Sequence, residues 1–476
     1  KFIIYLVRIN TRSIIALSCL VALAIIYALR VNISVAMVSM QNYTAAEQMA
    51  KRHKSGSTNE HCNFNQEKLQ LEDGPFIFSN TEISIMFSSY YWGYLIAMIP
   101  GGRISELWSA KWVMVFSVSL NMVSTVVTPF GAHLFGYIGI TIAQFCKGLG
   151  GGTSFPCTHC MLSHWCPKQE RSRLSSFIYA GTSMGTVCSQ YMSGLLSASF
   201  GWASVFFVSG IIGLPWVIFW MWYVTDYPSE HKYIKSEELV YLQDTINVVV
   251  GPKPKLPWRK ILISKPFWAI LIAHTFSNWG FYLLLIEMPI YLREILKFDL
   301  EENGRLSAIP HLVMAITTII SGFCFDKFIK SGMLTVGKAR KIATGIASIG
   351  PAICISLITF VGCLRYVGVG LLTTAIAFHG SMYSGHMINH IDIAPTFAGT
   401  LMALTNIPGT ISGILVPIFV GHIAEYHTLE AWRIIYFSTV VIYIAEFIIY
   451  LLWSSGEEQS WNSVGAVDPE NRPPTT

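Results

Sequence analysis

Arg30 stands inside the apolar run "IIYALRVNISVAMVSM", residues 25–40. An arginine keeps its proton in a protein, so a permanent charge sits where its neighbours are hydrocarbon. Tyr27 lies one helical turn before it, and the two share a face. A guanidinium beside a phenol is suited to grip a carboxylate or a phosphate. Arg30 is roughly ten residues from the end of its run, too deep for easy snorkelling, and a charge at that depth marks a pathway or an internal cavity. A second cation, Lys147, lies midway through "AQFCKGLGGGTSFP". Gln144, Lys147 and Gly151 recur at helical spacing and are expected on one face. The glycines around Lys147 form no phosphate loop, because the lysine precedes them and no strand leads in; they suit close helix packing. Two buried cations with few apolar-segment carboxylates point to an anionic ligand.

"CTHCMLSHWC", residues 157–166, gathers cysteines and histidines at a spacing that matches no standard zinc site, so no metal is expected. His159 suits proton exchange, since an imidazole changes charge near neutral pH, and suits a structural hydrogen bond equally. In "FSNWGFYLLLIEMPIYL", Ser277, Asn278 and Tyr282 are positioned to line a cavity. Glu287 is the apolar-segment carboxylate singled out there, near the outer end of its span, with Arg293 as the alternative ion-pair partner. Asn389 is a further cavity candidate, and His390 and Asp392 are read as boundary residues of a gate or cap. No nucleophile–base signature or hydrolase elbow occurs, so an enzyme is disfavoured.

These residues need long apolar helices to hold them. The chain is 53% apolar and 12% charged, half the charge of a typical soluble domain. Helices crossing a bilayer need about 20 mostly apolar residues. Twelve such spans are read at 13–40, 83–101, 112–129, 136–162, 174–196, 202–224, 267–292, 306–326, 341–362, 366–389, 398–422 and 431–453. The expected fold is an all-α polytopic membrane protein of twelve helices in two six-helix pseudo-repeats. Residues 1–224 form the first bundle, 225–265 a central loop, 266–455 the second bundle and 456–476 a tail. "GGRISEL" after span two and "SGFCFDKF" at the end of span eight occupy equivalent places, as do "YAGTSMGT" in span five and "FAGTLMALTN" in span eleven. Parallel six-span repeats around a central site are the plan of major facilitator transporters.

Placing the N-terminus in the cytoplasm puts 21 of the 32 basic residues inside and nine outside, so both termini are predicted cytoplasmic. The first loop then faces outward and carries the glycosylation sequon Asn42-Tyr43-Thr44. The ten cysteines lie almost wholly in apolar segments and form no disulfide framework. A net charge of +5 without a basic, aromatic-interleaved run argues against nucleic acid as a partner.

"YALRVNISVAMV", "WGYLIAMIPGG", "TSFPCTHCMLSHWCPKQERSRL", "NWGFYLLL", "EENGRLSAIPHL" and "INHIDIAPTFAG" closely resemble the anion transporter family of sialin, the vesicular glutamate transporters and the type I sodium–phosphate cotransporters. The resemblance runs from about residue 15 to 455 and is nearest to sialin. It implies a major facilitator fold and carriage of an organic anion or phosphate, driven by protons, sodium or membrane potential. Arg30 matches the family's substrate-binding arginine of span one, Tyr94 and Tyr282 match cavity tyrosines, and His159 matches a span-four histidine of sialin-like members. Sialin-like members carry an arginine and two glutamates on the span-four face; here those positions read Gln144, Lys147 and Gly151. The glutamate transporters' second arginine, in span seven, is Ser277 here, and their span-two histidine is Phe87. Lys147 is therefore expected to stand in for the lost arginine, and coupling is expected to differ from sialin's.

The expected function is secondary transport of a small anion by a monomer in the bilayer, with Arg30, Tyr27, Tyr94, Lys147, Ser277, Asn278, Tyr282 and Asn389 around the substrate. His159, Glu287 and Gln144 are coupling candidates for H+ or Na+, and no other cofactor is expected. The expected membrane is the plasma membrane or that of a lysosome or vesicle. A passive anion channel is the alternative.

Overall fold

The structure is a computed structural model; it describes residues 10–42, 74–246, 256–288, 291–292, 295–296, 298, 300–361, 364–423 and 429–462. Helices occupy all twelve expected spans. The first half holds Thr11–Met40, Asn80–Ile104, Ala110–Phe135, Tyr137–Trp165 and Arg171–Phe200, with span six in two pieces, Trp202–Ile211 and Leu214–Tyr223. The second holds Lys265–Tyr282, Leu300–Lys330, Val336–Val361, Arg365–His379 with His386–Ile393, Ala398–Ile423 and Leu429–Trp453. Span seven ends in a wide turn, Leu283–Glu287. Span ten, expected as one helix over 366–389, is broken by the tight turn Gly380–Ser384 and runs on to Ile393. The break has a local cause: Gly380 lies against Thr318 and Met314 of span eight, and Gly385 lies against Thr344 of span nine, where side chains would collide.

Eight described helical stretches are long and apolar enough to cross a membrane, one of them covering spans two and three. Spans four, five and ten fall outside that set. They are the inner helices: every residue of span four from Gly150 to Trp165 is buried in protein, and span five buries a run of Ser, Thr and Gly. Inside a bundle, small and polar residues permit close helix contact where lipid-facing positions need hydrocarbon. Gly93 and Gly148 show this reciprocally, each lying against the backbone of the other's helix.

Four helix N-termini on the face that carries Thr11 and Trp453 are capped by carboxylates from elsewhere in the chain. An uncapped first turn leaves N–H groups unsatisfied and a partial positive charge, which a carboxylate answers. Glu238, on the short helix Ser236–Thr245 between the halves, accepts from Thr11 N (2.8 Å) and Arg12 N (3.1 Å). Asp226 accepts from Lys111 N (2.9 Å) at span three. The other two cross between the halves. Glu106 accepts from the Thr400 amide and hydroxyl, both at 2.6 Å, at the start of span eleven. Asp326 accepts from Ser172 N (3.0 Å) and Arg173 N (2.9 Å) at the start of span five. These are the acidic residues of the two repeated motifs "GGRISEL" and "SGFCFDKF".

Asp392 adds a fully buried lock beside them. It accepts from Arg340 (2.7 Å) within its own half and from Arg171 (2.9 Å) across the interface, and Arg340 also donates to Ser172 Oγ at 2.7 Å. After span twelve the chain turns back: Gln459 N donates to Ile393 O (2.8 Å) and Trp461 is buried near Phe397.

Candidate functional site

Arg30 lies in an aromatic cage. Its guanidinium carbon is 5.3 Å from the Tyr27 ring centre and 5.1 Å from those of Tyr90 and Tyr91, and it donates to the Tyr91 hydroxyl at 3.1 Å. Ring faces stabilise a cation without neutralising it. Among the described residues no carboxylate lies within ion-pair distance of Arg30. Tyr282 of the second half meets Tyr91 edge-on at 6.3 Å, and Tyr94 Oη accepts from Asn406 of span eleven at 3.1 Å. Arg30, Tyr27, Tyr94 and Tyr282 therefore come together at the seam between the halves. Tyr90 and Tyr91, which the sequence reading passed over, complete the cage; their position in "SSYYWGY", one turn before Tyr94, was the available signal.

Other candidates lie elsewhere. Lys147 is fully buried behind span one: its Nζ donates to Leu29 O (3.2 Å) and Asn32 Oδ1 (3.4 Å) and sits 5.6 Å from the Phe206 ring of span six. Gln144 is buried nearby. Gly151, expected on the same face, instead sits under the Tyr90 and Tyr94 rings. Ser277 is buried with its hydroxyl 3.9 Å from Met382 Sδ, and Asn278 lies against Gly409 of span eleven. Asn389 donates to Tyr450 Oη at 2.9 Å, toward span twelve. Glu287 is buried at the end of span seven; Arg293 falls outside the described residues. Asn42 holds a short bridge at the end of span one, donating to Phe76 O at 2.8 Å; Tyr43 and Thr44 of its sequon fall outside the described residues.

The cysteine–histidine run does not converge. Cys157 donates to Ala110 O (2.9 Å) and His164 lies 3.2 Å from Asp226 O. His159 points into the other half, 2.8 Å from Met387 O. Its Nδ1 lies 2.5 Å from the Tyr179 hydroxyl, so the neutral ring donates from Nε2 and accepts at Nδ1. Phe155 O, 3.3 Å from Nδ1, is a ready acceptor for a second proton. Rings link this residue to the cage: Tyr27 to Phe155 at 6.2 Å, and Phe155 to Tyr179 at 5.1 Å.

The sequence reading passed over a second carboxylate in an apolar segment: Glu446, in "YIAEFIIYLL" of span twelve, is completely buried. The signal was plain, an acidic residue within a hydrocarbon run.

Two six-span bundles that meet at a seam with a caged cation, locked by carboxylates at one face, define a multi-pass membrane protein built for alternating access. The chain belongs to the Major Facilitator Superfamily, whose model matches residues 19–417. Human sialin is 35% identical, over 92% of this chain and 88% of its own. A Drosophila melanogaster protein named "Putative inorganic phosphate cotransporter" is 34% identical, over 97% and 88%. Human vesicular glutamate transporter 2 is 32% identical, over 96% and 76%. A solved proton:xylose symporter superposes with a TM-score of 0.71 at 13% identity, covering 94% of this chain and 98% of that one, a likeness of fold.

Proposed function

We propose that the chain is a secondary transporter that carries a small anion, an acidic sugar-like organic anion or inorganic phosphate, by alternating access, coupled to H+ or Na+. The observation that carries this reading is Arg30: a cation caged by Tyr27, Tyr90 and Tyr91 at the seam of the halves, with no carboxylate partner among the described residues. A partly buried cation of that kind is completed by an incoming anion. The relatives named for sialin and for phosphate cotransport support the substrate class. The locks at Glu106, Asp326 and Asp392 hold the face that carries Thr11 and Trp453, the side for which the distribution of basic residues supports the cytoplasm. The seam is thus closed to the cytoplasm and approached from the opposite side, outside the cell or in the lumen of a lysosome or vesicle. His159 and Glu287 are the coupling candidates from the sequence, and a monomer suffices because the site lies within one chain.

The test is uptake of labelled phosphate and labelled sialic acid into liposomes holding the purified protein, under a proton gradient without sodium and then a sodium gradient without a pH difference. Saturable uptake with counterflow supports a transporter. Non-saturating flux without counterflow would mean a channel, and uptake of neither anion would end the reading.

A further inference from the structure

Among the described residues, Glu446 of the second half is a buried carboxylate left unsatisfied at both oxygens. It has no solvent exposure, and neither carboxylate oxygen has a hydrogen-bond partner among the described residues. An ionised carboxylate in that state carries a large desolvation penalty, and the group relieves it by holding a proton. Its surroundings are able to exchange one. Tyr443 and Tyr450 lie one turn before and one turn after it, so the three share a face, and both tyrosines are fully buried. That face meets span ten at two imidazoles: Tyr443 lies 6.5 Å from His379, and Tyr450 lies 6.3 Å from His386. Glu446 thus lies between two tyrosines of its own span, each of which meets a histidine of span ten. Neither ring nitrogen of His386 has a hydrogen-bond partner among the described residues.

From His386 a line of imidazoles leads to the seam. His274 of span seven is 6.1 Å from His386 and 6.2 Å from His390, and the Thr405 hydroxyl bridges His274 Nδ1 (3.0 Å) and His390 Nε2 (2.7 Å). His390 Nδ1 and His159 Nε2 then donate to the same carbonyl, Met387 O, each at 2.8 Å. The two halves therefore share one acceptor through two histidines, with their rings 5.3 Å apart. Other titratable groups at Glu446 are few. Span nine brings Arg340, which is committed to Asp392. Span seven brings His274, which the Thr405 hydroxyl of span eleven joins to His390.

We infer that Glu446, linked through Tyr443 and Tyr450 to His379 and His386, is a proton-binding site of the second half, and that the histidine line ties its occupancy to the His159–Met387 contact between the halves. A proton taken up from one side of the membrane protonates the Glu446 carboxylate or a neighbouring imidazole and is later released to the other side; no other bond is made or broken. With Glu446 ionised, its charge attracts a proton held on the histidine line. With Glu446 neutral, that attraction is gone and a proton on the line is free to reach His159, where Phe155 O accepts the second N–H or the Tyr179 hydrogen bond reverses so that its oxygen accepts. The proton thus acts on the contact that separates when the halves rock.

This inference rests on the transport reading for its coupling role, and the experiment has an arm that does not. Full-length wild type and Glu446→Gln, a shape-matched stand-in for the protonated acid, are placed in liposomes. Counterflow, in which substrate exchanges for substrate without net proton movement, is expected to persist in the variant. Accumulation driven by one pH unit is expected to fall about tenfold, the full drive of one coupled proton. Equal accumulation by variant and wild type overturns the inference, as does parallel loss of accumulation and counterflow in a folded variant, or accumulation that answers only to sodium. If Glu446→Gln does not fold, His386→Gln takes the same test with the same expectations. The independent arm is the infrared spectrum of the purified protein. The carbonyl band of a protonated carboxylic acid should be present in wild type and lost in Glu446→Gln, and identical spectra overturn the site even where neither labelled anion is carried.

Discussion

Glu106 and Asp326 hold equivalent places in the two halves, and each caps the first turn of a helix in the opposite half. Neither contact helps its own bundle fold; both close the seam at one face. A carboxylate at a helix N-terminus contributes about 0.3–2 kcal/mol, set here against Arg103, which also holds Glu106 at 2.9 Å. Glu106→Gln and Asp326→Asn are each expected to shift the two-state equilibrium about 2–30-fold toward opening at that face. Labels on the ends of spans five and eight, followed by distance measurement, would read the shift. An unchanged distance distribution in both variants would show that these caps are not locks.

Arg30→Lys keeps the charge but loses the planar fork and its stacking on three rings. Charge-assisted hydrogen bonds contribute about 1.5–3 kcal/mol, so the KM for the transported anion should rise about ten- to a hundredfold. Tyr91→Phe removes only the acceptor that orients the guanidinium and should raise KM several-fold. Initial rates in liposomes over a range of substrate measure both, and an Arg30→Lys protein with wild-type KM would remove Arg30 from the site.

The architecture was legible in the sequence because a bilayer imposes length and apolarity, and those are written in composition. The boundaries drifted where tertiary contacts outweigh hydropathy: span ten breaks at Gly380–Ser384, and span five begins at Arg171 because Asp326 caps it there. Arg30 was legible as a charge among hydrocarbon. Tyr90 and Tyr91 were not, since tyrosines are ordinary residues at the ends and interiors of spans and only packing shows which rings meet a cation. Lys147 drew attention for the same reason as Arg30, but helical spacing gives an angle around one axis and says nothing of which neighbour fills it. The histidine line was hidden because its members come from spans four, seven and ten, so no spacing in the chain brings them together.

Lys147 lies behind span one, held by Leu29 O and Asn32. Its placement makes it a brace between spans four, one and six, separate from the cage. Lys147→Met, which keeps the volume, is expected to leave KM within about threefold of wild type, since replacing a buried charge by a matched apolar chain is often neutral. Lys147→Ala should instead lower the melting temperature, because truncating a buried chain leaves a cavity worth about 2–5 kcal/mol. A large rise in KM for the Met variant would return Lys147 to the substrate site.

Gly148 and Gly151 separate packing from function on a single helix. A methyl at Gly148 would meet the backbone of Tyr90, which cannot move without shifting span two, whereas a methyl at Gly151 would meet the Tyr90 hydroxyl at the free end of a side chain. Overpacking against backbone costs about 1–3 kcal/mol, so Gly148→Ala should lower the melting temperature by several degrees. Gly151→Ala should cost little in stability, because alanine favours helix over glycine by about 1 kcal/mol and the ring can swing aside. That ring is one wall of the Arg30 cage, so the same variant should change KM. The position also bears on the departure from sialin-like members: the Tyr90 ring occupies the space that a carboxylate at 151 would need, so Gly151→Glu should be tolerated only together with Tyr90→Ala. Melting curves and uptake kinetics on the four variants would decide it. If Gly151→Ala matches wild type in KM, the Tyr90 wall does not shape the substrate.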